Sequence, residues 1–125
     1  MSDQTNPVNW FEIPVSDLER ARQFYETVFG FQLSLNEMGP MKMAWFPMTQ
    51  EGGGATGTLM KSEGYTPSHA GTLVYFSVTD IEGTLAKVNE NGGKTLLPKT
   101  SIGEHGYIAH FQDCEGNRVA LHSLT

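Results

Sequence analysis

Ile13-Pro14-Val15-Ser16-Asp17-Leu18-Glu19 and Phe76-Ser77-Val78-Thr79-Asp80-Ile81-Glu82 are two copies of one pattern. In each, an alternating apolar run ends in Ser or Thr, followed by Asp, an aliphatic residue and Glu. A glycine follows each copy at the same distance, Gly30 after the first and Gly93 after the second. A repeat of this kind decides the architecture before any single element is assigned, because each copy must form the same supersecondary unit.

Each copy opens with a strand-like run, residues 8–15 and 72–78, in which alternate side chains must point to opposite faces. A helix-start signal follows. Ser16 with Glu19, and Thr79 with Glu82, have the spacing of a capping box, while Asp17 and Asp80 could instead accept from the free helix amides. Both capping modes fit. Leu18, Ala21, Phe24, Tyr25 and Val28, and then Ile81, Leu85 and Val88, recur at helical spacing and give each helix one apolar stripe. Gly30, and Gly92 or Gly93, are the expected stops. Three strand-like runs follow each helix: residues 31–38, 41–48 and 55–61 in the first copy, and 94–100, 107–113 and 117–123 in the second. Residues 62–71, polar and punctuated by Gly and Pro, read as a linker.

The pattern is βαβββ twice, an α+β fold in a single domain over residues 1–125, with modules at about 8–61 and 72–123. A four-stranded sheet with a helix on one face leaves its other face bare. Two such curved mixed sheets can turn towards each other, within one chain or across a homodimer, and enclose a cup for a small ligand.

Composition narrows the partners. The net charge is −6, with no long block of either sign, so a phosphate backbone would be repelled and nucleic acid is not expected as a partner. The one cysteine, Cys114, cannot form an internal disulfide and lacks the paired spacing of a zinc site, which suits a cytoplasmic location. Met1-Ser2-Asp3-Gln4-Thr5-Asn6 has neither basic residues nor an apolar core, and no stretch reaches membrane-spanning length, so neither secretion nor membrane insertion is expected.

The run Ile13-x-Val15-x-Asp17-Leu18-Glu19-x-Ala21-x-x-Phe24-Tyr25-x-x-Val28-Phe29-Gly30-Phe31 resembles the opening signature of the vicinal oxygen chelate superfamily, which includes the glyoxalase, bleomycin-resistance and extradiol dioxygenase proteins. Phe111-x-Asp113-x-x-Gly116-Asn117-x-Val119 resembles its closing signature. The resemblance implies a glyoxalase-like fold. In metal-dependent members a histidine starts the first strand of a module and a glutamate lies on its last. Carried onto this chain, the histidine positions fall on Trp10 and Leu73, and the glutamate positions on Ala120 and, through the repeat, Gly57. None of these side chains can ligate a divalent ion, which argues against glyoxalase I or ring-cleaving chemistry.

Strand alternation names the residues that remain. With Phe11, Ile13, Val15, Phe111, Val119 and Leu121 packed under the helices, Trp10, Glu12, His110, Gln112, Arg118 and His122 face the cup, joined by Leu73, Tyr75 and Ser77. Trp10, Glu12, Tyr75, His110, Arg118 and His122 are the ligand-binding candidates. Glu12, His110 and His122 are the one inward carboxylate and imidazole set, a displaced site for a divalent metal should they converge; the competing expectation, which we favour, is that they are polar groups paired with Arg118, Tyr75 or water. No cofactor is otherwise implied. A metal-free enzyme would use Glu12 as general base beside Trp10, with His122 or His110 as acid.

Glu51-Gly52-Gly53-Gly54 lacks the lysine and helix of a phosphate loop and reads as a hairpin or lid. His69 and His105 fall on loops, where solvation is expected, and Cys114 has no signal for a reactive thiol. The sequence therefore points to a glyoxalase-like small-molecule-binding protein, expected to form a homodimer, and a lyase or isomerase for a small oxygenated metabolite if it is an enzyme. The alternative is a non-catalytic protein that sequesters a drug or metabolite, as the bleomycin-binding relatives do. A purely structural module is the third reading, disfavoured because Glu12, Arg118 and two histidines would be costly to bury.

Overall fold

Each copy of the repeat folds as the same unit, because its apolar residues can leave water only by packing one helix across one sheet face. The computed structural model describes residues 6–49 and 53–125. The first module comprises β1 (Trp10–Pro14), α1 (Leu18–Phe29), β2 (Ser34–Met38), β3 (Met41–Trp45) and β4 (Thr56–Lys61). The second comprises β5 (Tyr75–Ser77), α2 (Ile81–Glu90), β6 (Lys94–Ser101), β7 (Tyr107–Gln112) and β8 (Arg118–Ser123), with a 3-10 turn at Gly103–His105. The sheet orders are β1-β4-β3-β2 and β5-β8-β7-β6. In each, the opening strand runs parallel to the closing one and the other pairs are antiparallel. The mixed α+β architecture is the one read from the repeat.

Several boundaries move. The first strand is shorter than residues 8–15, since its ladder begins where Trp10 meets Thr56. β2 starts at Ser34 rather than at residue 31, because Phe31 stacks on Phe29 at 5.4 Å between ring centroids and Leu33 turns into the core. The capping question resolves in favour of aspartate. Asp17 Oδ1 accepts from the Arg20 amide at 3.1 Å, and Asp80 Oδ1 from the Gly83 amide at 3.0 Å. Gly30 (φ 79°) and Gly92 (φ 98°) supply the left-handed residue after the helices. Gly93 does something different: a Cβ there would run into the Gln112 carbonyl. Of the Glu51-Gly52-Gly53-Gly54 loop, Glu51 and Gly52 lie outside the described residues, as do Met1 to Thr5.

One apolar cluster serves both modules, with Ile13, Val15, Phe24 and Leu59 joined to Leu85, Phe111, Val119 and Leu121. At its centre Phe76 of β5 lies 4.7 Å from Phe29 and 5.4 Å from Phe46, centroid to centroid. The β7–β8 turn then ties the second module to the first. The Asp113 carboxyl, wholly buried, accepts from the Tyr25 hydroxyl at 2.7 Å, from the Glu115 and Asn117 amides at 2.9 Å each, and from Asn117 Nδ2 at 3.1 Å. Asn117 Nδ2 also donates to the Pro14 carbonyl at 2.8 Å, which fixes the start of β8 against the end of β1.

Glu115 completes the junction at the open N-terminus of α1. It accepts from the Ser16 amide at 2.6 Å and the Ser16 hydroxyl at 2.7 Å, and pairs with Arg20 at 2.7 Å, with no exposed surface on its side chain. Burial works to raise its pKa, but the bonds from Ser16 and then Arg20 outweigh it and hold the carboxyl below its ordinary value.

The strand register corrects one repeat assignment. Glu12 pairs with Thr58 as Tyr75 pairs with Ala120, so Thr58, not Gly57, is the counterpart of Ala120. Gly57 sits one residue away, on the opposite face: a Cβ there would meet the Phe11 carbonyl oxygen and lie 2.7 Å from Phe11 Cγ. Thr58 is buried, with its hydroxyl 3.0 Å from the Ala44 carbonyl and 2.7 Å from that of Leu59.

Three outcomes follow for urea unfolding. Asp113→Ala strands a buried hydroxyl, a side-chain amide and two backbone amides, and should cost about 3 kcal/mol or more, against about 1 kcal/mol for Tyr25→Phe. Gly57→Ala should cost about 1–3 kcal/mol by forcing β1 and Phe11 aside. The Glu115 contribution is fully present above its ordinary pKa of 4.5 and lost as pH falls through the lowered folded value, so Glu115→Gln should lose less stability than the wild type over that acid range.

Candidate functional site

The edge strands β1 and β5 face each other across the module junction, where the Phe11 and Phe76 rings meet edge to face at 5.9 Å. On the sheet faces turned away from the helices, the junction opens into a cavity of about 640 Å³. Its walls include Trp10 and Glu12 from β1, Leu73 from the segment before β5, Tyr75 from β5, and Arg118 from β8. Both modules of one chain supply them.

The linker forms the remaining wall through Thr66, Ser68 and Ala70. It is pinned at three places. The Tyr65 hydroxyl donates to Glu12 Oε1 at 2.8 Å, the Ser68 amide to Asn117 Oδ1 at 3.1 Å, and His69 Nε2 lies 2.8 Å from Gln112 Oε1. The Ser68 carbonyl accepts from the Arg118 amide at 3.3 Å. The bond to Glu12 raises the Tyr65 pKa, since losing the phenol proton would set two anions side by side. The linker carries no motif, so nothing in its sequence marks Tyr65 as part of a site. His69 is exposed as expected for a loop residue, yet it is tied to Gln112.

Of the six ligand-binding candidates, Trp10, Glu12, Tyr75 and Arg118 meet at this cavity. His110 stands behind them. Its Nδ1 accepts from Arg118 Nε at 3.0 Å and Nη2 at 2.9 Å, and its Nε2 lies 3.5 Å from the Tyr75 hydroxyl. An imidazole that accepts at Nδ1 must carry its proton at Nε2, so Nε2–H is aimed at the Tyr75 oxygen and leaves the phenol proton free to point into the cavity. Burial, and then the Arg118 charge, lower the His110 pKa and keep the ring neutral. His122 takes no part: its Nε2 bonds the His105 carbonyl at 2.7 Å, away from the cavity walls.

The displaced metal set is therefore not assembled. Glu12 is held by Tyr65 on the first module, His110 by Arg118, and His122 by a backbone carbonyl. Among the described residues no group of three or more His, Cys, Asp or Glu side chains gathers to hold a metal ion. The positions that bear metal ligands in the resembling family carry Trp10, Leu73, Ala120 and, by register, Thr58, and this donor set does not fit a divalent cation. The proposed Glu12 and His122 catalytic pair is likewise separated. Glu12 is exposed to solvent. Cys114 is unreactive: burial first, then Asp113 and Glu115, push its thiol up to about 12.

Trp10 meets Trp45 edge to face at 5.8 Å, which steadies one aromatic wall. The site thus offers a guanidinium, a phenol donor, a tyrosine-bound carboxylate and an indole around one opening. No helix among the described residues is long and apolar enough to cross a membrane.

Comparison with known proteins agrees with this architecture. The model of the Glyoxalase/Bleomycin resistance protein/Dioxygenase superfamily matches residues 8–121. A Didymella fabae protein described as glyoxylase-like domain-containing is 36% identical over 123 residues, covering 91% of this chain and 91% of the relative. A glyoxylase/bleomycin resistance protein/dioxygenase domain from Frankia superposes with a TM-score of 0.74 at 15% identity, covering 96% of this chain and 98% of that one. Glyoxalase I from Zea mays superposes at 0.68 with 23% identity over 94% of this chain, which spans only 46% of the maize chain. The two structural likenesses show the fold alone. The family model, which takes in both modules, and the fungal relative together show that the chain belongs to the Glyoxalase/Bleomycin resistance protein/Dioxygenase superfamily.

Proposed function

We propose that the protein binds a small oxygenated organic molecule in the junction cavity without a metal ion. The observation that carries this reading is the exchange of residue types. Of the family's ligand positions, Trp10 and Leu73 line the cavity, to which Tyr75 and Arg118 present hydrogen-bond donors, while Thr58 and Ala120 are wholly buried. A carbonyl or carboxylate oxygen can accept from those donors, and a planar apolar part can lie on Trp10. This is the behaviour of a binding or sequestering protein of the bleomycin-resistance type.

The test is a thermal-shift screen of divalent metals against a panel of aromatic antibiotics, oxo acids and hydroxy ketones, since a ligand of the folded state raises the melting temperature. We expect organic members to stabilise the wild type, zinc, nickel and manganese to leave it unchanged, and Tyr75→Phe to weaken the best binder about tenfold. Stoichiometric metal uptake with a raised melting temperature would sink the proposal.

A second reading, a lyase or isomerase that moves a proton next to a carbonyl, is favoured by Glu12 and Tyr75 lining one cavity: the carboxylate as base, the phenol as donor to the developing enolate oxygen. In D2O the wild type should then speed deuterium exchange at the methylene of phenylpyruvate, followed by proton NMR. Equal exchange with Glu12→Gln excludes Glu12 as the base.

A further inference from the structure

The three arginines are treated differently by the fold. Arg20 pairs with Glu115, and Arg22 with Glu19 and Glu26. Arg118 has no carboxylate partner among the described residues; the group it bonds is the His110 imidazole, which is neutral when it accepts at Nδ1. A half-buried guanidinium at a cavity wall therefore keeps an unneutralised charge, in a chain whose net charge is −6. Such a charge is costly to hold away from water unless an anion joins it, and the guanidinium fork matches a carboxylate. Glu12, on the same cavity, is held by Tyr65 and makes no ion pair with Arg118.

A second cavity, of about 490 Å³, adjoins the first. Trp10, Phe11, Ala55, Val74 and Tyr75 are walls of both. Beyond them the second cavity is bounded by Phe31, Phe46 and Phe76, with Met48, 57% exposed, near its mouth. Aromatic rings form much of the wall of this second space, with Asn9, Thr56 and Ser77 at other points, whereas Arg118 and Glu12 border only the first. A molecule anchored at Arg118 needs only to extend past Trp10 and Tyr75 to place an apolar end against these rings.

We infer that the ligand is an amphipathic monoanion, a carboxylate whose head binds Arg118 and the Tyr75 hydroxyl and whose aryl or alkyl tail enters the aromatic cavity beyond Trp10. The inference rests on the proposed metal-free binding site and names the class of molecule that site takes. Head and tail make separable demands. The head must be charged, because the neutral His110 cannot share the guanidinium's charge. The tail must reach, because the two cavities lie side by side and a short acid fills only the first.

The probes are the phenylalkanoates from phenylacetate to 6-phenylhexanoate and their primary amides, titrated by calorimetry with Trp fluorescence as a second signal. Affinity should rise about three- to fourfold per added methylene until the ring is seated, then level off. Each amide should bind at least about tenfold more weakly than its acid. Arg118→Gln should erase the difference between acid and amide. Ser77→Phe, at an exposed strand position that borders the second cavity and not the first, should flatten the dependence on chain length while leaving phenylacetate binding unchanged. Acids and amides that bind the wild type equally would overturn the anionic head, and an affinity independent of length would overturn the tail site. If uncharged members of the antibiotic and ketone panel stabilise the protein while the acids do not, this inference falls and the binding site stands. If neither group binds, both fall.

Discussion

The buried carboxyl of Asp113 is the constraint on which the rest of the structure depends. It sits in the turn between the last two strands, yet its partners include a tyrosine from the first helix, and Asn117 beside it reaches the carbonyl at the end of the first strand. A carboxyl group taken out of water must have its lone pairs met, and here the donors come from both modules. The observed placement of the modules satisfies it. Arg118 is the next residue along, so the bond that joins the modules also sets a cationic side chain beside the cavity between them. Glu115, capping the first helix from the same turn, fixes the orientation a second time.

At the positions that hold metal ligands in metal-dependent members of the family, this chain carries other side chains. In this fold the opening and closing strands of a module run side by side, so residues facing away from the helix on both strands point into one space. Side chains with nitrogen or oxygen ligands there would gather around a cation. Trp10 and Leu73 instead line the hollow and Thr58 and Ala120 are wholly buried, while the polar groups at the edge of the hollow are donors and one tyrosine-bound carboxylate. Neutral His110 matters as a spacer with direction: it accepts from Arg118 on one side and turns its proton towards Tyr75 on the other. The phenol is thereby biased to donate.

Much of the fold was legible because period-two and period-3.6 patterns record which side of an element meets the core. Alternation placed Trp10, Glu12, Tyr75 and Arg118 on the open face, and those four do share a cavity. It also placed His110 and His122 there, but facing the same side of a sheet is not the same as meeting. His122 lies opposite Ile108, beyond the pair of His110 with Ala120, and its ring turns to the 3-10 turn. The one-residue error at Gly57 has the same origin. The two copies differ in the length of the segment between opening and closing strands, and only the ladder reveals which residue of the last strand stands opposite Glu12.

The sequence by itself determined the doubled βαβββ order, the helix stops, the core-facing residues and the absence of metal-binding side chains at the family's positions, since each of these is written in residues near one another along the chain. Tertiary structure alone decided the choice of aspartate over serine as helix cap, the role of Glu115 at the first helix, the wall contributed by the linker and the bond of Tyr65 to Glu12, the pairing of Arg118 with His110 and the second cavity. At the first helix Glu115 claims Ser16 from 99 residues away and leaves the cap to Asp17. The role of Glu115, the linker wall and the second cavity likewise hang on contacts between segments remote in sequence, fixed only once the two modules share one core, whereas Arg118 and His110 lie eight residues apart on one hairpin and their pairing depends on side-chain placement that periodicity does not encode.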